Sequence, residues 1–228
     1  MGEHRELPGP HPAPPLVLPG RFRAAVFDFD GLLVDSEPGW ARAEARLLER
    51  HGSRFTAEDA IATVGRSPDA SIAIYGARLG LPEAAWPALK AELLALVADE
   101  YRAGFPPMPG AAALVGRLAA SIPVALASNT GRELIEAGLA ASPFAGAFPV
   151  VVTSSDVAHH KPAPDLYLLA CERLGVDPAD AVAFEDSPTG IRSAKAAGLT
   201  VVAVPAPGGP APDGADLVVG SLVALLGE

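Results

Sequence analysis

The chain is poor in cysteine and in positive charge. Cys171 is its one cysteine, so no disulfide can form within the chain. Because Cys171 falls in an amphipathic helical pattern, we interpret it as a small core residue and not as a nucleophile. Lys and Arg number 17 against 27 Asp and Glu, which gives a net charge of −10. This excess argues against binding to nucleic acid or to an anionic membrane, since both need a basic face.

Long apolar runs are absent as well. No uninterrupted apolar segment is long enough to span a membrane. The first 20 residues hold six prolines and several charges, with no apolar stretch typical of a signal peptide. We therefore expect residues 1–20 to be a disordered, Pro-rich extension, and a cytoplasmic location as the default. Half of the residues are hydrophobic and 19% are charged, which is the composition of a globular protein.

Short apolar runs alternate with helical patterns over most of the chain. The predicted strands are 24–29, 123–127, 149–153, 181–185 and 200–204. The predicted helices between them are 111–120, 133–140, 165–174 and 189–197. Gly138, Gly175 and Gly198 fall near helix ends, where a left-handed C-cap is expected. The alternation predicts an α/β fold: a Rossmann-like, doubly wound parallel sheet with helices on both faces.

The stretch 38–105 interrupts this alternation. It contains four helical patterns, at 40–51, 57–63, 68–79 and 82–101, and no good strand. We interpret it as an inserted helical cap domain over the active site. The core domain then comprises residues 21–37 and 106–228. The crossings near 34–38 and 104–109, the second rich in Gly and Pro, would be the hinges.

Two carboxylates end the first predicted strand. Asp28 and Asp30 are two residues apart, so their side chains start on the same side of the strand. Carboxylates held this close resist joint ionisation unless a cation lies between them or one keeps its proton. Gly31 permits a sharp turn directly afterwards. Taken alone, the segment is equally consistent with a solvated acidic strand end.

Four motifs in order carry a family resemblance. Residues 26–36 resemble the first motif, DxDG[TV], of the haloacid dehalogenase superfamily of phosphotransferases. Residues 125–129, 161–165 and 184–191 are similar to its second, third and fourth motifs. The similarity covers nearly the whole chain and extends to the branch of β-phosphoglucomutase-like and phosphoglycolate-phosphatase-like proteins, which carry a helical cap between the first two motifs.

The resemblance implies roles for four acidic residues. Asp28 would attack phosphorus and form an aspartyl-phosphate, while Asp30 would act as general acid and base. Asp28, Asp186 and Glu185 would hold Mg²⁺, with Glu185 bound directly or through water. Asp30 would add its backbone carbonyl to the metal site; a second metal-binding carboxylate at Asp30 remains an alternative.

Further residues are implied in binding the substrate. Ser128, the backbone N–H of Asn129, Gly31 and Lys161 would hold the phosphate, with Lys161 offsetting its charge. Arg66 would reach the other end of the substrate, although a solvated surface arginine is an equal alternative.

Two positions depart from the family pattern. His159 and His160 precede Lys161, where many relatives have glycine; a paired transition-metal site is the alternative there, but no further ligand has suitable spacing. Trp40 stands where β-phosphoglucomutases carry a histidine that helps to control the acid/base residue.

The function implied is a Mg²⁺-dependent phosphatase acting on a small-molecule phosphate ester, such as a sugar phosphate or phosphoglycolate. Asp30 favours phosphoryl transfer over dehalogenation, because the dehalogenases lack an aspartate at that position. Trp40 favours hydrolysis over a β-phosphoglucomutase-type reaction, which stays as one alternative. A catalytically inactive binding module is the other; it would be expected to have lost a motif residue, and none is lost.

Overall fold

The computed structural model describes residues 15–63, 67–205 and 213–227. Its centre is a sheet of six parallel strands in the order β3-β2-β1-β4-β5-β6. The strands are β1 (Ala24–Phe27), β2 (Val124–Ser128), β3 (Val150–Thr153), β4 (Ala181–Glu185), β5 (Thr200–Ala203) and β6 (Leu217–Val218). Five of them confirm the predicted strands, while the two-residue β6 was not expected.

The first strand lies in the middle of the sheet and is buried on both faces. Phe27 of β1 stands beside Leu126 of β2 and Phe184 of β4, and its ring stacks on that of Phe184 at 4.7 Å between centroids. Ala25 and Phe27 belong to one hydrophobic cluster, whereas Ala24 and Val26 belong to another. Because alternate residues of β1 enter two cores, its sequence is continuously apolar.

Eight α-helices accompany the strands in the part of the chain that the structure describes. They are α1 (Glu37–Arg50), α2 (Ala57–Thr63), α3 (Pro68–Arg78), α4 (Trp86–Ala103), α5 (Ala111–Ala119), α6 (Arg132–Ala140), α7 (Asp165–Leu174) and α8 (Pro188–Ala196). Buried residues of α5 and α6 join the first cluster, and those of α7 and α8 join the second. The predicted doubly wound α/β fold is confirmed, with helix bounds within one residue outside the insert.

The segment between β1 and α5 is helical, as predicted, and we call α1 to α4 the helical insert. The chain enters and leaves it side by side: Asp35 N–H donates to Pro106 C=O at 3.0 Å, and Met108 N–H donates to Leu33 C=O at 2.9 Å. Val34 and Pro107 form an isolated antiparallel bridge there. That the insert is a separate cap domain hinged at these crossings stays a prediction.

Two expectations differ from the structure. Gly138 lies inside α6, not at its end, and a side chain there would press on the rings of Phe29 and Tyr101. Its role is therefore close packing, whereas Gly175 does end α7 in the left-handed conformation.

Residues 15–20 were expected to be disordered, but Val17 N–H donates to Leu225 C=O at 2.9 Å and Leu18 packs against the core. Residues 1–14 lie outside the described residues.

In the part of the chain that the structure describes, no helix has both the length and the apolar character needed to cross a membrane.

Candidate active site

The polar side chains of the candidate site gather at the carboxyl ends of the three central strands. Asp28 follows β1 directly, Ser128 ends β2, Glu185 ends β4, and Asp186 follows it. Since β2, β1 and β4 are neighbours in a parallel sheet, their carboxyl ends meet at one edge. Ligands of doubly wound sheets bind at this edge. The sequence prediction that these residues lie at strand ends is confirmed.

Lys161 lies at the centre of this group. It is buried, with only 7% of its surface exposed, although it carries a charge. Its Nζ donates to Asp28 Oδ1 at 2.5 Å, to Glu185 Oε1 at 2.6 Å and to Ala127 C=O at 2.8 Å. All three hydrogens of the ammonium group thus have acceptors. A buried charge is tolerated when it is paired and fully hydrogen-bonded, as here. Lys161 is therefore a fixed positive charge beside Asp28.

Glu185 is wholly buried and orients the lysine. Its Oε1 also accepts from the Tyr167 hydroxyl at 2.6 Å, and its Oε2 accepts from the Ser187 hydroxyl at 3.2 Å. Gly190 lies so close to this carboxylate that a methyl group on it would overlap Glu185. The main contacts of Glu185 are thus with protein donors. Tyr167, on α7, was not predicted from the sequence.

Burial and neighbouring carboxylates raise the pKa values of Asp28 and Asp186. Burial raises the pKa of Asp28 well above its usual range, and Glu185, Asp186 and Asp30 add to this, although Lys161 opposes it. Burial, with Glu185 next, raises the pKa of Asp186 to about 7. Burial opposes the charge on Lys161, but Asp28 and Glu185 outweigh it and raise the pKa of that ammonium group. The cluster holds more negative charge than Lys161 neutralises.

A bound metal ion would balance the negative charge that Lys161 leaves unneutralised in this cluster. Asp28, Glu185 and Asp186 each offer an oxygen, and the three oxygens lie within 4.8 Å of one another. In the described residues this is the one group of three or more His, Cys, Asp or Glu side chains close enough to share an ion, and it contains no histidine. An all-oxygen donor set suits a hard cation such as Mg²⁺. Because Glu185 is engaged by Lys161, Tyr167 and Ser187, Asp28 and Asp186 are the more accessible donors.

The loops around Asp28 are cross-linked by hydrogen bonds. Lys161 N–H donates to Asn129 Oδ1 at 2.9 Å, and Asn129 Nδ2 donates to Lys161 C=O at 3.3 Å. Ser128 Oγ accepts from Thr130 N–H at 3.0 Å. Gly31 has a φ of +81°, and a side chain on it would overlap Asp186. Of the predicted phosphate-binding residues, Ser128, Asn129 and Lys161 line the same cavity as Asp28, and Gly31 lies against Asp186.

Asp30 is held by two hydroxyl groups from different parts of the chain. Tyr101 of α4 donates to its Oδ1 at 2.5 Å, and Thr130, after β2, donates to its Oδ2 at 2.7 Å. Neither donor was predicted from the sequence. Both oxygens of the Asp30 carboxylate are therefore oriented by hydroxyl donors of the protein.

A cavity of about 1470 Å³ separates this edge of the sheet from the helical insert. Asp28, Asp30 and Lys161 line it from the core, and the insert contributes Trp40 and Glu44 among others. It is large enough for a small metabolite, since pockets for such ligands span roughly 300–1,000 Å³.

The remaining predicted residues lie at the edge of the cavity, away from it, or outside the described residues. His159 is exposed and pairs with Asp165 at 3.0 Å, and His160 lines the cavity. Arg66 lies outside the described residues, so its predicted contact with the substrate stays a prediction. Cys171 is buried in the second hydrophobic cluster, which confirms its interpretation as a core residue.

The fold and the site together define an α/β protein with a buried carboxylate beside a lysine and an acidic cluster at the carboxyl ends of its central strands. Residues 22–198 match the family model described as haloacid dehalogenase-like hydrolase. The chain belongs to this family of hydrolases, and it is an enzyme of the phosphatase type.

Similar proteins agree with this assignment. Fructose-1-phosphate phosphatase YqaB of Escherichia coli (strain K12) is 33% identical over 81% of this chain and 97% of its own length. Hexitol phosphatase A of the same strain is 37% identical over 89% of this chain and 92% of its own. The crystal structure of a putative β-phosphoglucomutase from Thermotoga maritima has a TM-score of 0.75 and 27% identity, covering 86% of this chain and 94% of the other.

Proposed function

We propose that this protein is a Mg²⁺-dependent phosphatase that hydrolyses a small phosphorylated metabolite through an aspartyl-phosphate at Asp28. The observation that supports this best is the position of the Asp28 carboxylate. It lines the cavity beside the buried ammonium group of Lys161, and Asp186 and Asp30 line the same cavity.

In the first step an oxygen of Asp28 attacks phosphorus, and the bond from phosphorus to the ester oxygen breaks. Asp30, in its protonated form, gives its proton to the leaving alkoxide, which departs as an alcohol. In the second step water attacks phosphorus and gives a proton to the Asp30 carboxylate. The bond from phosphorus to Asp28 then breaks, so that inorganic phosphate leaves and both aspartates return to their starting states.

Fixed donors and positive charge stabilise the oxygens of the transferring phosphoryl group. Lys161 supplies the charge at the site, and the Ser128 hydroxyl with the Asn129 backbone N–H supplies hydrogen bonds. Because Glu185, Asn129 and Tyr167 surround Lys161, the ammonium group keeps its position while negative charge shifts between Asp28 and phosphate.

Asp28 and Asp186 would hold the metal. Glu185 would bind it directly or through water, and the backbone carbonyl of Asp30 would be a further donor. When bound, Mg²⁺ neutralises negative charge on the phosphoryl group and the carboxylates. The raised pKa values of Asp28 and Asp186 are consistent with a site that requires additional positive charge.

The cavity favours a substrate with hydroxyl groups. On the side of the insert it is lined by Glu44, Thr63 and Ser71, all of which are at least nine-tenths buried. Carboxylate and hydroxyl side chains bind sugar or polyol hydroxyls well. The names of two relatives, a fructose-1-phosphate phosphatase and a hexitol phosphatase, point to the same class. We therefore place sugar and polyol phosphates ahead of phosphoglycolate.

The test is release of inorganic phosphate from a panel of sugar phosphates, polyol phosphates and phosphoglycolate, each with Mg²⁺ and with EDTA. We expect hydrolysis of at least one sugar or polyol phosphate, abolished by EDTA and restored by Mg²⁺. Asp186→Asn should raise the Mg²⁺ concentration needed for half-maximal rate. The matched change Asp180→Asn, in an exposed pair with Arg23, should not. Full activity in EDTA would refute the metal assignment, and no phosphate release from any ester would refute the function.

A further inference from the structure

The acid/base residue of the proposed reaction is oriented partly from outside the core. Asp30 lies on the loop after β1, and its Oδ2 accepts from Thr130, which also belongs to the core. Its Oδ1 accepts at 2.5 Å from Tyr101, which lies in the last turn of α4 in the helical insert. The Asp30 carboxylate is thus held between the two parts of the chain.

The Tyr101 side chain has little freedom to leave this position, because it is completely buried. The Phe105 ring meets it edge-on at 4.9 Å between centroids, and the Trp40 ring of α1 does so at 6.5 Å. On another side Gly138 of α6 is so close that an added methyl group would lie 3.0 Å from Tyr101 Cδ1. Core and insert therefore fix the ring together, and the hydroxyl follows the placement of α4.

From these contacts we propose that Tyr101, assisted by Thr130, is the positioning residue for Asp30. This inference rests on the proposed function, in which Asp30 protonates the leaving group. Two hydroxyl donors on the two oxygens restrict rotation of the carboxyl group. Its proton is therefore presented to the ester oxygen in a defined direction when the insert is seated as observed. General acid catalysis depends on such alignment.

The leaving group of the substrate provides a readout specific to this role. An alkyl phosphate releases a strongly basic alkoxide, which needs a proton from Asp30. p-Nitrophenyl phosphate releases a weakly basic phenolate, which departs without one. The ratio of the two kcat/KM values reports on protonation of the leaving group, because kcat/KM covers only the steps up to the aspartyl-phosphate.

The experiment compares Tyr101→Phe with wild type on p-nitrophenyl phosphate and on the alkyl phosphate that wild type hydrolyses best. We expect kcat/KM for the alkyl ester to fall ~10- to 100-fold, within the range for partial loss of general acid catalysis. For p-nitrophenyl phosphate we expect a change of less than about threefold. Thr130→Val should shift the ratio in the same direction, and it serves as the second variant if Tyr101→Phe does not fold.

Thr153→Val is the matched control for Thr130→Val. Thr153 is a buried threonine whose hydroxyl also donates to a carboxylate, that of Asp156 at 2.9 Å, and neither residue lines the cavity. Loss of the Thr153 hydroxyl should change kcat/KM for both substrates by the same factor. If Tyr101→Phe and Thr130→Val also lower both substrates equally, or not at all, the positioning role is refuted. Wild-type hydrolysis of both esters would still support the proposed function, whereas its absence would refute that function instead.

Discussion

At the scale of single residues, Asp28 carries the chemistry proposed for this protein. Asp28→Asn keeps the size of the side chain and removes the attacking charge. We expect a folded protein whose turnover is at least ~10³-fold lower, because a covalent catalyst is lost. The measurement is steady-state phosphate release, with circular dichroism to confirm folding. Asp35→Asn makes the same change at a nearby exposed position; equal activity in the two variants would contradict the assignment of Asp28.

Gly190 gives a second prediction at this scale. A methyl group there would overlap the Glu185 carboxylate, which is buried and hydrogen-bonded to Lys161 and Tyr167. We expect Gly190→Ala to lower the free energy of unfolding by about 1–3 kcal/mol, the usual cost of overpacking. Turnover should fall as well, since Lys161 loses its fixed partner. The measurements are urea unfolding and phosphate release.

Gly116 supplies the control for this prediction. It lies within α5, and a methyl group on it would meet nothing within 4 Å. Because alanine favours the helix over glycine, Gly116→Ala should raise the free energy of unfolding by about 0.5–1 kcal/mol. A similar change in stability for both variants would show that the space around Gly190 is not limiting.

At the scale of secondary structure elements, Asp156 joins β3 to two helices. Its carboxylate accepts from Thr153 N–H at 2.8 Å, from Arg132 of α6 at 2.6 Å and from Arg173 of α7 at 3.2 Å. Burial raises the pKa of Asp156, but the bonds from Thr153, Arg173 and Arg132 outweigh it and lower that pKa to about 2. Since an unfolded aspartate has a pKa near ~3.9, the carboxylate stabilises the fold above that pH. The contribution is lost as the pH falls through about 2.

We therefore expect Asp156→Ala to lower the free energy of unfolding at pH 7 by ~1–3 kcal/mol, because a partly buried N–H loses its acceptor. The difference from wild type should shrink as the pH is lowered from about 4 toward 2. Urea unfolding at several pH values measures both effects. Asp99→Ala, in an exposed pair with Arg102, should change stability by less than about 0.5 kcal/mol. A difference that stays constant down to pH 2 would contradict the role of the Asp156 charge.

The helices and strands could be predicted from the sequence because each depends on a hydrophobic pattern of neighbouring residues. Apolar runs such as 181–185 and helical patterns such as 165–174 coincide with β4 and α7. The strand-end positions of Asp28, Ser128 and Asp186 followed from these runs. β6 was missed because two residues, Leu217–Val218, are too few to show a period.

Contacts between distant residues could not be predicted in the same way. Tyr101 lies 71 positions from Asp30, and nothing near Tyr101 marks it as a donor to a carboxylate. Tyr167 has the pattern of an ordinary core residue of α7, and its hydroxyl reaches Glu185 only through the packing of α7 on the sheet. Gly138 was assigned to a helix end by its type, although its small size is needed within α6 for the rings of Phe29 and Tyr101.

At the scale of the whole molecule, the question is whether water or a sugar accepts the phosphoryl group from Asp28. A mutase must keep water from the aspartyl-phosphate while its substrate reorients. Trp40 lines the cavity and meets Tyr101 edge-on, but it has no ionisable group with which to control Asp30 as histidine does in the mutases. With β-glucose 1-phosphate we therefore expect either no reaction or release of inorganic phosphate.

The assay follows inorganic phosphate and glucose 6-phosphate in parallel, with and without a sugar bisphosphate activator. A sugar phosphate that the protein hydrolyses serves as the positive control. Stoichiometric conversion to glucose 6-phosphate without phosphate release, dependent on the bisphosphate, would make the mutase interpretation correct.

The central place of β1 in the sheet has a consequence for the newly made chain on the ribosome. Its neighbours β2 and β4 are encoded 99 and 157 residues later, from Ala25 to Val124 and from Ala24 to Ala181, so β1 forms only long-range pairs. At 5–20 residues per second, β1 waits roughly 5–20 s for its first partner. During that time the chain adds α1 to α4, whose contacts are closer in sequence. We expect the insert to fold first on the ribosome, and the edge that holds Asp28, Ser128 and Asp186 to form only when β4 has emerged.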